Sequence, residues 1–163
     1  MGEVLVLVDH VDGAVRKPTL ELLTIARRLG DPVAVFCGGS GADKALDALG
    51  RYGATKVYVA EDPAFDEYLV APKAEALAAA ARAGEPAAVL VTSTPEGKEV
   101  AARVAVKLGS GIITDAVDVA ADGTTTQSVF AGNFTVTAKV TTGMPIVTVK
   151  PNTATPEAAE TTP

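Results

Sequence analysis

Four times in succession a short apolar run is followed by a longer amphipathic stretch and a glycine that stops it. Val4-Leu5-Val6-Leu7-Val8 is apolar at every position, as a strand covered on both faces must be. A helix is expected from about Thr19, with Leu22, Ile25, Ala26 and Leu29 on one face. Glu21 lies near its start and Arg27 and Arg28 near its end, the sense that the helix dipole favours. Gly30 and Asp31-Pro32 end it. The next unit is Val33-Ala34-Val35-Phe36 and a helix burying Ala42, Ala45, Leu46 and Leu49, stopped by Gly50. Ser40 is the expected N-cap there, with Asp43 as its reciprocal partner. Val57-Tyr58-Val59 leads to a helix through Leu77 and Ala81 to Gly84. Ala88-Val89-Leu90-Val91 leads to one capped by Thr94, begun by Pro95 and ended by Gly109. Its inward positions are Ala101, Val104, Ala105 and Leu108. Such alternation builds a three-layer α/β fold on a parallel sheet with right-handed crossovers.

After Gly111 the rhythm changes. Strands are expected near 116–120, 125–130, 134–141 and 145–149, with Asp122-Gly123 as a hairpin turn. From 134 to 141, Phe134, Val136, Ala138 and Val140 alternate with Thr135, Thr137, Lys139 and Thr141. The pattern predicts an antiparallel β-meander added to the parallel sheet. Residues 1–150 then form one folded domain, and residues 151–163, with three prolines and no apolar periodicity, read as a linker or disordered tail.

Aromatic residues are only 4% of the chain and Trp is absent, so the core is built from Ala, Val, Leu and Ile. Fourteen Lys and Arg against twenty Asp and Glu leave a net charge of −6, which disfavours nucleic acid as a partner. Cys37 is the only cysteine, so neither an internal disulfide nor an all-cysteine metal site can form. No apolar run approaches the ~20 residues that span a bilayer, and no basic, cleavable leader opens the chain. No membrane insertion and a cytoplasmic location are the expectation.

Few residues combine into chemistry. Gly38-Gly39-Ser40-Gly41 lies where a strand enters a helix, a place for a phosphate, but Lys44 stands where a dinucleotide fingerprint needs glycine, and Asp43 opposes an anion. A tight turn is the preferred reading. Thr92-Ser93-Thr94 occupies the carboxyl end of the fourth strand, the usual ligand position in open α/β sheets, and is a weak anion-site candidate. The alternative gives Thr94 to an ordinary cap and Ser93 to a turn. Asp9-His10 pairs a carboxylate with the only histidine, yet no nucleophile or metal-ligand spacing accompanies it, so a polar turn is preferred. Cys37 is read as a small semi-buried hydrophobe. Asp115 reads as a turn cap, and Phe130-Ala131-Gly132-Asn133 as a corner that needs unusual backbone angles at glycine and side-chain bonds from asparagine. No catalytic set and no metal site emerges.

Ala101-Ala102-Arg103-Val104-Ala105-Val106-Lys107-Leu108-Gly109, then Thr114-Asp115, then Ala131-Gly132-Asn133, together with Leu7-Val8-Asp9-His10 and Val147-Thr148-Val149-Lys150-Pro151, resembles the N-terminal domain of the electron transfer flavoprotein alpha subunit. The resemblance implies a Rossmann-like, adenine nucleotide alpha hydrolase-like sheet. It implies a heterodimer with a beta subunit, carrying electrons from dehydrogenases such as the acyl-CoA dehydrogenases of fatty acid β-oxidation to a quinone reductase and the respiratory chain. It places FAD mainly in a later domain of the full-length alpha subunit, whose motifs have no counterpart here, and AMP in the beta subunit. The fragment is therefore expected to be a colourless scaffold without catalytic residues of its own. Its interface candidates are Asp115, Phe130, Ala131, Gly132 and Asn133; alternatively Phe130 and Phe134 complete the domain's own core. A free-standing adenine-nucleotide-binding domain of universal-stress type is the competing function, although Arg51 stands where its phosphate loop would need glycine.

Overall fold

Leu5 and Leu7 face one side of strand β1 (Glu3–Leu7) while Val4 and Val6 face the other, and every one of them is buried. That two-sided burial sets the layer order of the computed structural model, which describes residues 2–163. After β1 come a two-strand ribbon, β2 (His10–Val11) and β3 (Ala14–Val15), helix α1 (Lys17–Leu29), strand β4 (Asp31–Gly38) and helix α2 (Ala42–Arg51). Strand β5 (Lys56–Glu61), the short α3 (Ala64–Glu67), α4 (Ala71–Gly84), β6 (Ala88–Thr92) and α5 (Pro95–Leu108) complete the alternating part. The remainder is all strand: β7 (Ile112–Val119), β8 (Thr125–Val129), β9 (Phe134–Ala138) and β10 (Ile146–Val149). Val4, Val6 and Val8 pack with α1 and α2 through Leu22, Leu23, Ala45 and Leu49. Leu5 and Leu7 pack on the opposite side with Leu77 and Ala78 of α4 and Val100 and Val104 of α5. Each fully buried Leu or Val contributes roughly 1.5–3 kcal/mol, so the two faces of one strand couple both helix layers.

The sheet order is β5-β4-β1-β6-β10-β7-β8-β9. The first six strands in that order pair in parallel, and β8 and β9 are added antiparallel to β7. The three-layer parallel sheet with its meander is as expected, with one difference. The last strand does not close the meander but inserts between β6 and β7, parallel to both. All four residues of β10 are buried, which suits a strand with neighbours on both edges and helices on both faces. The Asp122-Gly123 turn joins β7 to β8 as expected, Gly123 N–H donating to the Ala120 carbonyl at 2.9 Å.

Helix starts divide in two. At α5 the Thr94 hydroxyl accepts from Gly97 N–H at 2.9 Å, with Pro95 as first residue. At α2 the expected Ser40–Asp43 box does not form. Gly41, at φ 97°, is the cap residue, and the first amide, Ala42 N–H, donates instead to Glu61 Oε1 at 2.9 Å. A carboxylate nineteen residues away does the capping. The periodicity from 134 to 141 also lacks its expected counterpart, since the β9 residues Phe134, Thr135, Val136 and Thr137 are all exposed and no layer covers either face.

Residues 151–163 hold no helix or strand and lie extended over α1 and α2. Asn152 N–H donates to Glu21 and Glu157 N–H to the Thr24 hydroxyl on α1, while Ala159 and Thr161 N–H donate to the Arg51 and Gly50 carbonyls on α2. Among the described residues no helix is long and apolar enough to cross a membrane.

Candidate functional site

Side chains from three neighbouring strands, β6, β10 and β7, converge beside the end of β6. Ser93 follows β6, Thr148 lies in β10, and Asp115 occupies β7 at φ 57°, where the register with β10 shifts. A bulge at that point turns the Asp115 amide towards Thr148 and its carboxylate towards Ser93. Asp115 N–H donates to Thr148 Oγ1 at 3.1 Å, Thr148 Oγ1 donates to Ser93 Oγ at 3.0 Å, and Ser93 Oγ donates to Asp115 Oδ1 at 2.5 Å. The three bonds close a ring. Lys98 Nζ stands 3.5 Å from the same carboxylate oxygen. The Ser93 bond above all, with Lys98 and Lys150 adding to it, holds the Asp115 carboxyl below its ordinary range against the opposing effect of burial. Asp115 is thus a bulge-holding group rather than the simple turn cap expected. Thr148 and Lys98 belong to the cluster although spacing along the chain could not reveal them, because each comes from a different element.

The depressed Asp115 value has a consequence for acid stability. A carboxyl lowered on folding stabilises the fold above its unfolded pKa of about 3.9 and ceases to do so as pH falls through the folded value. Carboxyl-carbon NMR should find Asp115 titrating below the ordinary aspartate range. Ser93→Ala should move it upward; an unmoved midpoint would show that the hydroxyl does not hold the charge.

The corner from Phe130 to Asn133 joins β8 to β9. Phe130, Ala131 and Gly132 all have positive φ, at 51°, 56° and 85°, which is strained for the first two and free for glycine. Asn133 fixes the bend by donating both its amide N–H, at 3.1 Å, and its side-chain Nδ2, at 2.8 Å, to the Phe130 carbonyl. Phe130 and Phe134 meet edge to face with ring centres 5.6 Å apart. They do not enter the core: Phe130 is 77% exposed, Phe134 62% and Val136 40%. Residues 129 to 138 hold no charge. The strained turn and the unpaired edge of β9 thus present a contiguous uncharged apolar surface.

A cavity of about 600 Å³ opens where the chain turns from one half of the sheet to the other, at the carboxyl ends of β1 and β6. Thr92 and Thr94 line it and Ser93 does not, so the three adjacent hydroxyl residues divide among three roles. Thr94 caps α5, Ser93 joins the ring, and the Thr92 hydroxyl is buried with no hydrogen-bond partner. Asp9-His10 belongs to the same wall. Gly13 N–H donates to His10 Nδ1 at 3.1 Å, so the ring's proton sits on Nε2 and donates to the Cys37 carbonyl at 2.8 Å. The imidazole, stacked 4.2 Å from Phe36, holds the turn together, the polar-turn role expected of it. Burial pushes the Cys37 thiol up to about 12, which leaves it inert at neutral pH. No group of three or more His, Cys, Asp or Glu side chains able to hold a metal ion occurs among the described residues.

The family model described as "Electron transfer flavoprotein domain" matches residues 4–163. The electron transfer flavoprotein subunit alpha of Mycobacterium tuberculosis is 46% identical over 151 residues, covering 92% of this chain and 48% of that protein. The subunit alpha of Mycobacterium leprae is 44% identical over 161 residues, with 98% and 51% covered. A subunit of the lactate dehydrogenase (NAD(+),ferredoxin) of Acetobacterium woodii is 32% identical over 114 residues, with 68% and 27% covered. The chain spans about half the length of the alpha subunits it matches.

Proposed function

The chain belongs to the electron transfer flavoprotein family, and from that premise we propose that it serves as the N-terminal domain of an alpha subunit, a scaffold whose working surface is a protein-binding one. In this reading residues 1–150 are the domain and 151–163 the connecting segment clasped to it. The domain pairs with a beta subunit, and the assembly carries electrons in the cytoplasm from primary dehydrogenases, such as acyl-CoA dehydrogenases, towards a quinone reductase. FAD belongs to the remaining half of a full-length alpha subunit and AMP to the beta subunit.

The residues present do not fit a flavin dinucleotide. Its pyrophosphate needs free amides at a helix start, whereas the first amide of α2 is taken by Glu61 and the start of α5 is capped by Thr94. The same two facts oppose the universal-stress type of nucleotide site.

The observation that carries the scaffold reading is the bare Phe130–Phe134 corner on an edge strand. An interface centre is apolar, depleted in charge and often aromatic. Phe130→Ser together with Phe134→Ser should weaken binding of the cognate beta subunit by about a hundredfold, as loss of an aromatic anchor pair costs roughly 2–4 kcal/mol. The melting temperature of the isolated chain should stay unchanged, because neither ring is buried in it. Titration calorimetry paired with a thermal melt reads both. Unchanged affinity would remove this corner from the interface, and with it the reading.

A further inference from the structure

We propose that the cavity at the carboxyl ends of β1 and β6 is a binding site for a small organic cation with an apolar body, an amine or guanidinium, and that it rejects phosphate-bearing ligands. Open α/β sheets bind ligands where the strand order reverses, and the reversal here lies between β1 and β6. A volume of about 600 Å³ is in the range of small-molecule sites.

The walls define the charge of the occupant. Four carboxylates line the cavity, Asp9, Asp12, Asp66 and Glu96, against two cations, Arg16 and Lys73. Both cations are already engaged, Arg16 with Asp9 at 3.9 Å and Lys73 with Glu96 at 2.5 Å. Asp12 and Asp66 have no ion-pair partner among the described residues. The surplus is negative. Asp66 also occupies the space above the glycine turn, since a Cβ on Gly39 would lie 1.9 Å from its carboxylate oxygen. An anion brought to that turn would meet a carboxylate rather than open amides, and the α2 amide beyond it is already bound to Glu61.

The remaining surface defines the rest of the ligand. Leu7, Phe65, Val91 and Val100 supply an apolar wall suited to a hydrocarbon or aromatic body. Thr92, itself only 5% exposed, adds a hydroxyl without a hydrogen-bond partner. Buried hydroxyls normally have a partner. A head group rich in N–H donors supplies what this oxygen and the two free carboxylates lack. The cavity lies apart from the Phe130 corner in the chain, so this site stands whether or not that corner binds a beta subunit.

Titration calorimetry of the 163-residue chain with phenethylamine, agmatine and AMP tests the assignment. Saturable binding of at least one amine is expected, with no heat from AMP at the same concentration. Asp12→Asn with Asp66→Asn should weaken amine binding about tenfold or more, the loss expected when charge-assisted hydrogen bonds are removed. Both residues are exposed, so circular dichroism and the thermal midpoint should match the parent; each single substitution should show an intermediate loss. Three results would overturn the proposal: no saturable binding of either amine, AMP binding as tight as the amines, or amine binding indifferent to the two substitutions.

Discussion

Phe36→Ala is expected to lower the stability of the chain by about 3–5 kcal/mol, a large part of the 5–15 kcal/mol typical of a domain. Phe36 is fully buried in β4, beneath α1 and α2, in a core otherwise made of small aliphatic residues. With four Phe, three Tyr and no Trp in the whole chain, few side chains nearby are large enough to collapse into the vacated volume. The same ring supports the His10 imidazole by stacking, so its loss should also loosen the β2–β3 ribbon at the cavity mouth. Urea denaturation reads the first effect as a lowered midpoint at unchanged slope. Amide exchange at Gly13, whose N–H is held by His10, reads the second. A loss below about 1 kcal/mol would mean that the strand repacks freely and the core is less closely filled than it looks.

Gly97→Ala should reverse an ordinary rule. In a helix interior glycine-to-alanine replacement stabilises by roughly 0.5–1 kcal/mol. Here a Cβ on Gly97 would come within 2.0 Å of the Thr92 carbonyl oxygen, which is backbone and has little freedom to withdraw. The first turn of α5 must shift, or β6 must bend at its end, and overpacking of this kind costs about 1–3 kcal/mol. Because Thr92 precedes Ser93, the disturbance should reach the bulge at Asp115 as well. Gly109→Ala is the control. It ends the same helix at φ +61° with open space around it, so only the left-handed backbone penalty applies, roughly 1–2 kcal/mol. If Gly97→Ala is stabilising in urea melts, the close approach of α5 to β6 is wrong.

What could be read along the chain was whatever neighbours decide. Thr94 capping Gly97 needs only three residues of spacing, and the Asp122-Gly123 turn needs two. The buried strands were legible because residues apolar on both faces can lie only inside a sheet. What was hidden depends on contacts between distant segments. Glu61 displaces Ser40 as the cap of α2 because β5 runs beside β4 and delivers a carboxylate to an amide nineteen positions earlier. The insertion of β10 is a pairing choice between residues more than thirty positions apart. Phe130 and Phe134 look like core by composition, and their exposure follows only from β9 being the last strand with no helix laid over it. Thr148 joins Ser93 and Asp115 for the same reason that β10 lies between β6 and β7.

The closed loop of bonds among Asp115, Thr148 and Ser93 has only one possible sense of rotation. An amide can give a proton but not take one, and an ionised carboxylate can take but not give. Each hydroxyl between them therefore has its proton position dictated, Thr148 pointing to Ser93 and Ser93 to the carboxylate. Two rotors that would otherwise spin are frozen, and their dipoles run head to tail. The loop cannot serve as a proton wire, since no member can pass a proton onward while the carboxylate is charged. It is a one-way latch that joins three parallel strands.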